Sequence, residues 1–140
     1  MTELEPERVA IKFVNEINRH DVEALSALMA PDFRFFDTLG QESRGRDRAR
    51  EAWTAFFARL PDYRIVIRDH LAQGSVVALF GGVSATIPGG SRWTAPVAWR
   101  AVIRDHLVAE WQLYSEFEPA RRALAQGQPP PAVARDSGRG

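Results

Sequence analysis

The stretch Trp93-Thr94-Ala95-Pro96-Val97-Ala98-Trp99-Arg100-Ala101-Val102-Ile103-Arg104 alternates with a period of two. Val97, Trp99, Ala101 and Ile103 fall on one face, and Ala98, Arg100 and Val102 on the other. The segment therefore reads as a strand with an aromatic and β-branched inner face. Runs of the same period lie at Tyr63–Ala72, Val76–Ile87 and Val108–Phe117, separated by the turn signals Gln73-Gly74, Pro88-Gly89-Gly90 and Asp105-His106. Four such strands predict an antiparallel meander. In Val76–Val83 both faces are largely apolar, so the sheet needs cover on each side.

Upstream of the meander the period is helical. Val9, Ala10, Phe13, Val14 and Ile17 form one stripe that fades at Asn18-Arg19-His20. Asp21 is the expected N-cap of a second helix carrying Val22, Leu25, Leu28 and Met29, halted by Pro31. A short strand, Phe33–Asp37, and a loop, Gly40–Gly45, precede a third helix marked by Ala49, Trp53, Phe56, Phe57 and Leu60 and ended by Pro61. Helices followed by a meander make an α+β fold. Three helices cover one sheet face, and a homodimer through the other is the simplest cover for it. Residues 1–118 read as the domain; 119–140 read as a short helix from Glu118-Pro119 through Leu124 and a tail from Pro129-Pro130-Pro131.

Composition narrows the function classes. The chain has 140 residues, 45% apolar and 26% charged, with a formal net charge of zero. That is a single globular domain whose bulk charge asks for neither nucleic acid nor an anionic membrane. With no cysteine there is no disulfide, thiol nucleophile or thiolate metal site. The acidic start lacks a signal-peptide pattern and no apolar run approaches a membrane span, so a cytoplasmic location is expected.

Asp37 is the first candidate for chemistry. Alternation puts it on one face with Phe33 and Phe35, where a carboxylate either reaches water at the strand end or is partly desolvated. Desolvation turns a spectator anion into a usable proton acceptor; the other reading is that Asp37 simply starts the turn Thr38-Leu39-Gly40. The repeat Val66-Ile67-Arg68-Asp69-His70-Leu71 and Val102-Ile103-Arg104-Asp105-His106-Leu107 brings His70 and His106 to one sheet edge. Solvated hairpin ends explain it better than a metal pair, since no ligand spacing signature accompanies it. Arg44, Arg46, Arg48 and Arg50 alternate before the third helix, but Asp47 and Glu51 interrupt them, which favours a partly paired surface over a phosphate site.

Taken in order, Phe13…His20-Asp21-Val22-Glu23-Ala24-Leu25, Ala30-Pro31-Asp32-Phe33, Ser43-Arg44-Gly45 and Val108-Ala109-Glu110-Trp111-Gln112-Leu113-Tyr114 resemble the nuclear transport factor 2-like superfamily, in its SnoaL-like and ketosteroid isomerase-like branch. The resemblance covers residues 6 to 118. It implies a cystatin-like cone: a curved antiparallel sheet wrapped around three helices, with a deep apolar pocket. In that frame Asp37-Thr38-Leu39-Gly40-Gln41 is similar to the segment that ends in the isomerases' general base. The pocket would be lined by Phe13, Phe35, Trp53, Phe57, Trp99, Trp111 and Leu113, with Ser115 as a nearby hydroxyl donor. The departures count equally. Phe13 and Trp99 stand where the isomerases place the two donors that hold an enolate oxygen, and losing one such donor costs about 10²–10³ in rate. Leu113 stands near where cyclase and epoxide-hydrolase relatives carry an acid. The implied activity is proton transfer at a carbon of a hydrophobic small molecule, of isomerase or lyase type, without a cofactor or metal. The rival is a binding or assembly module that uses the same pocket and catalyses nothing.

Overall fold

The computed structural model describes residues 5–115. Helix α1 spans Glu5–Arg19 and buries Ala10, Phe13, Val14 and Ile17, the stripe expected from their spacing. It stops where His20 takes the left-handed conformation, φ 56°. Helix α2, Val22–Ala27, is capped by the Asp21 side chain, which accepts from Ala24 N at 3.0 Å. Helix α3 spans Arg46–Arg59. The strands are β1 (Met29–Phe36), β2 (Glu42–Arg44), β3 (Arg64–Gln73), β4 (Val76–Thr86), β5 (Arg92–Arg104) and β6 (Leu107–Tyr114).

The six strands form one curved sheet in the order β2-β1-β6-β5-β4-β3. The meander β3–β6 is antiparallel throughout, and its β5–β6 turn uses Asp105 and His106, both at positive φ, as a two-residue hairpin of the twist-matched kind requires. Two features correct the sequence reading. The sheet is mixed, because β1 runs parallel to β6 with Phe35 opposite Trp111. The expected 40–45 loop contains β2, which pairs with β1 antiparallel and makes the outer edge.

Pro31 accounts for the first misplaced boundary. Helix α2 ends at Ala27, before Met29, and β1 begins at Met29, with Val108 N donating to Leu28 O at 2.7 Å. Pro31 sits inside that strand, in the stretch between Met29 and Arg34 where the register with β6 shifts, as expected of a residue that cannot donate to the ladder. The expected strand end at Phe117, the 119–124 helix, the tail and the domain boundary at 118 lie outside the described residues.

The core lies between the helices and the inner sheet face. Phe13 packs against Trp111 at 4.7 Å and Phe33 at 6.1 Å between ring centroids, so α1 rests on β6 and β1 together. Cross-strand rows Leu79–Trp99–Leu113 and Val77–Ala101–Trp111 build the inner face. At the end of α1, Asn18 Nδ2 donates to Ile65 O at 2.9 Å while Ile65 N donates to Asn18 Oδ1 at 2.7 Å. His20 Nε2 donates to Tyr63 O at 2.8 Å, the only role open to a ring nitrogen facing a carbonyl. These three bonds fix where β3 starts. No helix among the described residues is long and apolar enough to cross a membrane.

One close approach constrains the far edge. The β3 register shifts between Ile67 and Asp69, and opposite it a Cβ added to Gly81 would lie 1.8 Å from the Val66 carbonyl oxygen. The obstacle is backbone and cannot swing aside. Gly81→Ala is expected to cost about 3 kcal/mol, the upper part of the overpacking range. Urea unfolding measures this, and a variant as stable as the parent would show that β3 lifts away freely.

Candidate functional site

A cleft of about 390 Å³ opens between α3 and the inner face of the sheet. Phe35 of β1, Trp99 of β5 and Trp111 and Leu113 of β6 line the sheet side. Helix α3 contributes Ala49, Ala52, Trp53 and Phe56. The two alanines leave the space that bulkier residues would fill, while the large rings wall it. Trp53 meets Phe56 edge-on at 5.6 Å, which holds both rings in place.

Polar groups are confined to the lip and one side. Asp37, Gln41, Glu42 and Ser43 come from the β1–β2 connection, and Tyr63 from the start of β3. The two carboxylates differ in availability. Both oxygens of Glu42 are taken, by Arg34 Nε at 2.7 Å and Nη2 at 3.3 Å and by Arg44 Nη2 at 2.9 Å. The Arg34 bond, followed by that of Arg44, holds the Glu42 carboxyl below its ordinary range. Glu42 is a fixed anion. Asp37 spends only one oxygen: its Oδ1 accepts from Leu39 N and from Gln41 N, both at 2.9 Å.

Asp37 therefore does what the turn reading asks and also borders the cleft. Its backbone closes the same turn, with Asp37 N donating to Gln41 O at 3.1 Å and Gly40 N to Asp37 O at 2.9 Å, and Gly40 at φ 80°. The bonds made by its side chain among the described residues leave Oδ2 unengaged.

The other expected site residues divide. Phe35, Trp53, Trp99, Trp111 and Leu113 line the cleft. Phe13 does not: it is fully buried behind Trp111, as the filler between α1 and the sheet. Phe57 lies beside the cleft, against Trp53 at 5.3 Å, and stacks on His20, with centroids 4.1 Å apart and planes at 9°. Ser115 donates to Pro96 O at 2.8 Å, which occupies its hydroxyl at the strand end. His70 and His106 each pair with α1, His70 Nδ1 with Glu7 at 2.8 Å and His106 Nδ1 with Glu5. The Glu5 bond raises His106 above its ordinary pKa. Among the described residues no group of three His, Asp or Glu side chains is placed to hold a metal. Of the arginine run, Arg44 serves Glu42, Arg46 donates to Met29 O and Arg50 pairs with Glu23.

Sequence reasoning missed Tyr63. It is 3% exposed, lines the cleft, and burial pushes its phenol well above the ordinary value, so it stays protonated. Trp99 Nε1 is also buried without a partner. The sole sequence signal for Tyr63 was a polar aromatic following Pro61-Asp62, read as nothing more than a strand start.

A model of the SnoaL-like domain family matches residues 10–111. Among solved structures, a protein assigned as a SnoaL-like polyketide cyclase from Shewanella putrefaciens superposes with a TM-score of 0.75 at 18% identity, over 89% of this chain and 88% of that one. TerC, co-crystallised with polyporic acid, matches with a TM-score of 0.76 at 17% identity, over 87% and 99%. A protein of ketosteroid isomerase-like fold from Catenulispora acidiphila, in complex with trimethylamine, matches with 0.70 at 18%, over 76% and 83%. No curated protein matches the chain in sequence. At these identities the solved structures establish the fold.

The turn bonds of Asp37 carry a measurable consequence. Asp37→Ala strands the Leu39 and Gln41 N–H groups and is expected to cost about 1 kcal/mol. Asp37→Asn keeps an acceptor oxygen and should lose less than half of that. Chemical denaturation of the pair tests it; equal losses would mean that the charge, and not the acceptor, holds the turn.

Proposed function

The chain belongs to the SnoaL-like domain family, and we propose that its cleft binds a flat hydrophobic small molecule and moves a proton at one of that ligand's carbon atoms, with Asp37 as the base. The observation that carries this reading is the unengaged Asp37 oxygen beside a cleft walled by Trp53, Trp99, Trp111 and Phe35. Aromatic walls favour a flat apolar body, and a carboxylate in such surroundings is a competent acceptor for a carbon-bound proton. Structures of the same fold in complex with polyporic acid and with trimethylamine support a small-molecule role. The reaction class is isomerisation, cyclisation or dehydration, and the place of action we propose is the cytoplasm.

One observation favours the rival. Phe13 and Leu113 have no group that exchanges a proton or donates a hydrogen bond, and they stand where the family resemblance implies such groups. A binding module with the same cleft would need none.

A ketone with an acidic α-carbon separates the two. With 2-tetralone, quenching of the cleft tryptophans should saturate, while Trp93, which is buried elsewhere, contributes little to the change. In deuterated water the bound ketone should exchange its α-protons, and Asp37→Asn should bind it normally while slowing exchange by about 10²–10⁴. Binding without catalysed exchange selects the binding module. No saturable response to 2-tetralone or to other flat ketones sinks both readings.

We also propose that a second copy covers the outer sheet face. The row Phe80–Ala98–Tyr114 and its neighbour Val66–Gly82–Pro96 present apolar side chains there, with Val66, Phe80 and Tyr114 between 43% and 50% exposed. Beside them runs a charged chain in which Glu110 accepts from both Arg100 at 2.9 Å and Arg34 at 3.3 Å. Sedimentation should report a dimer at micromolar concentration. Arg100→Glu sets two carboxylates side by side and should weaken it while ketone binding persists. A monomeric parent protein would overturn this arrangement.

A further inference from the structure

Tyr63 is held more firmly than a residue leading into a strand needs to be. Its N–H donates to Leu60 O at 3.1 Å, its carbonyl accepts from His20 Nε2 at 2.8 Å, and two residues on the Asn18 amide locks Ile65. Phe56 meets its ring edge-on at 4.7 Å and 80°. A ring so fixed aims its hydroxyl in one direction. Tyr63 lines the cleft, and among the described residues its hydroxyl makes no hydrogen bond. Nor does it belong to the partnerless polar atoms sealed inside the protein, which are Glu16 Oε1, Thr38 Oγ1 and Trp99 Nε1.

The hydroxyl therefore opens on the cleft, where water or a ligand completes its bond, and a ligand that displaces the water without accepting leaves the donor unpaired. The chemistry of the accepting group follows from the lining. Tyr63 keeps its proton, because burial raises its pKa, and so offers a donor and not an anion. Glu42 is already matched by Arg34 and Arg44, Asp37 adds a negative charge at the lip, and no Lys, Arg or His lines the cleft to receive an anionic ligand. What remains is an uncharged acceptor oxygen on an apolar frame.

We propose that Tyr63 is the specificity-determining donor of the cleft, and that it selects a flat, uncharged ring ketone or quinone whose carbonyl oxygen accepts from the phenol while the rings lie among Trp53, Trp99 and Trp111. The proposal rests on the reading of the cleft as a ligand site. It assigns to Tyr63 the discrimination between an oxygenated ring system and its hydrocarbon counterpart, because a site built around an unpaired donor penalises the ligand that leaves it unpaired.

Fluorenone and fluorene, which differ in a carbonyl replacing a methylene, are the probes. Titrated into the full chain and read by tryptophan fluorescence, fluorenone should bind about tenfold more tightly than fluorene. Its carbonyl stretch should move to lower frequency on binding. Tyr63→Phe should bring the affinity ratio to about one, leave fluorene binding unchanged and return the carbonyl stretch towards its value in an alkane, with the melting temperature held or raised. A variant that keeps the preference for fluorenone overturns the proposal and leaves the ligand site standing. Failure of both probes to bind the parent protein overturns the ligand site and this inference with it. If Tyr63→Phe loses both probes, the parent complex decides: an alkane-like carbonyl frequency there means that no donor reaches the oxygen, and the proposal falls.

Discussion

The register of β1 on β6 is the constraint on which the rest depends. Phe35 stands opposite Trp111 and Arg34 opposite Glu110, so alternation sends Phe33, Phe35 and Asp37 inward and Arg34 and Phe36 outward. A slip of one residue would exchange those sets, placing a guanidinium among the tryptophans and Asp37 on the outer face. The ion pairs on the outer face help to hold the register. Arg34 is engaged by Glu42 on one side and Glu110 on the other, so it bridges the strands that flank β1. Pairs this exposed add little stability individually, but a slipped register would break both at once. The charged outer row and the aromatic inner row thus specify the same alignment from opposite faces of one strand.

Helix α1 then decides how much of the concave surface stays open. Phe13 and Phe33 fill the space over Trp111 at one end, and nothing remains for a ligand there. Toward α3 the helix gives way to Asn18 and His20, which spend their side chains on the β3 backbone instead of packing into the sheet. The remaining hollow faces Ala49 and Ala52, whose methyl groups do not reach across it. An apolar hollow left open forfeits contact energy that larger side chains would recover. The aromatic residues around it brace one another, and the hollow persists as a cleft instead of collapsing.

How much of this was legible before the structure depended on whether a feature was local. The α1 stripe, the Asp21 cap, the meander and the Asp105-His106 turn are properties of neighbouring residues, and each appears where periodicity or turn chemistry placed it. Pairing between distant segments was harder to read. Strand β2 is three residues long and largely exposed, with no apolar alternation to reveal it, and only its pairing with β1 makes it a strand. The parallel β1–β6 pair joins segments more than seventy residues apart and carries no turn signal. The candidate site divides differently. Phe35, Trp99, Trp111 and Leu113 were expected there from the family resemblance and line the cleft, whereas Phe13 and Phe57, expected on the same ground, lie behind or beside the opening. Tyr63 was invisible because it enters the cleft through its place before β3, and a hydroxyl that makes no bond to the protein leaves no trace in the sequence.

The two oxygens of Asp37 show why turn and catalytic readings of such a residue need not compete. Oδ1 accepts two backbone N–H groups, and the next residues close around it through Gly40. Those bonds fix the carboxylate plane, so the direction of Oδ2 is set by the turn and not by a free rotor. A base positioned in this way loses little conformational entropy when a substrate arrives. Glu42, saturated by two arginines, has position without availability; an exposed surface carboxylate has the reverse. Among the carboxylates that border the cleft, Asp37 alone combines a fixed geometry with an oxygen left over.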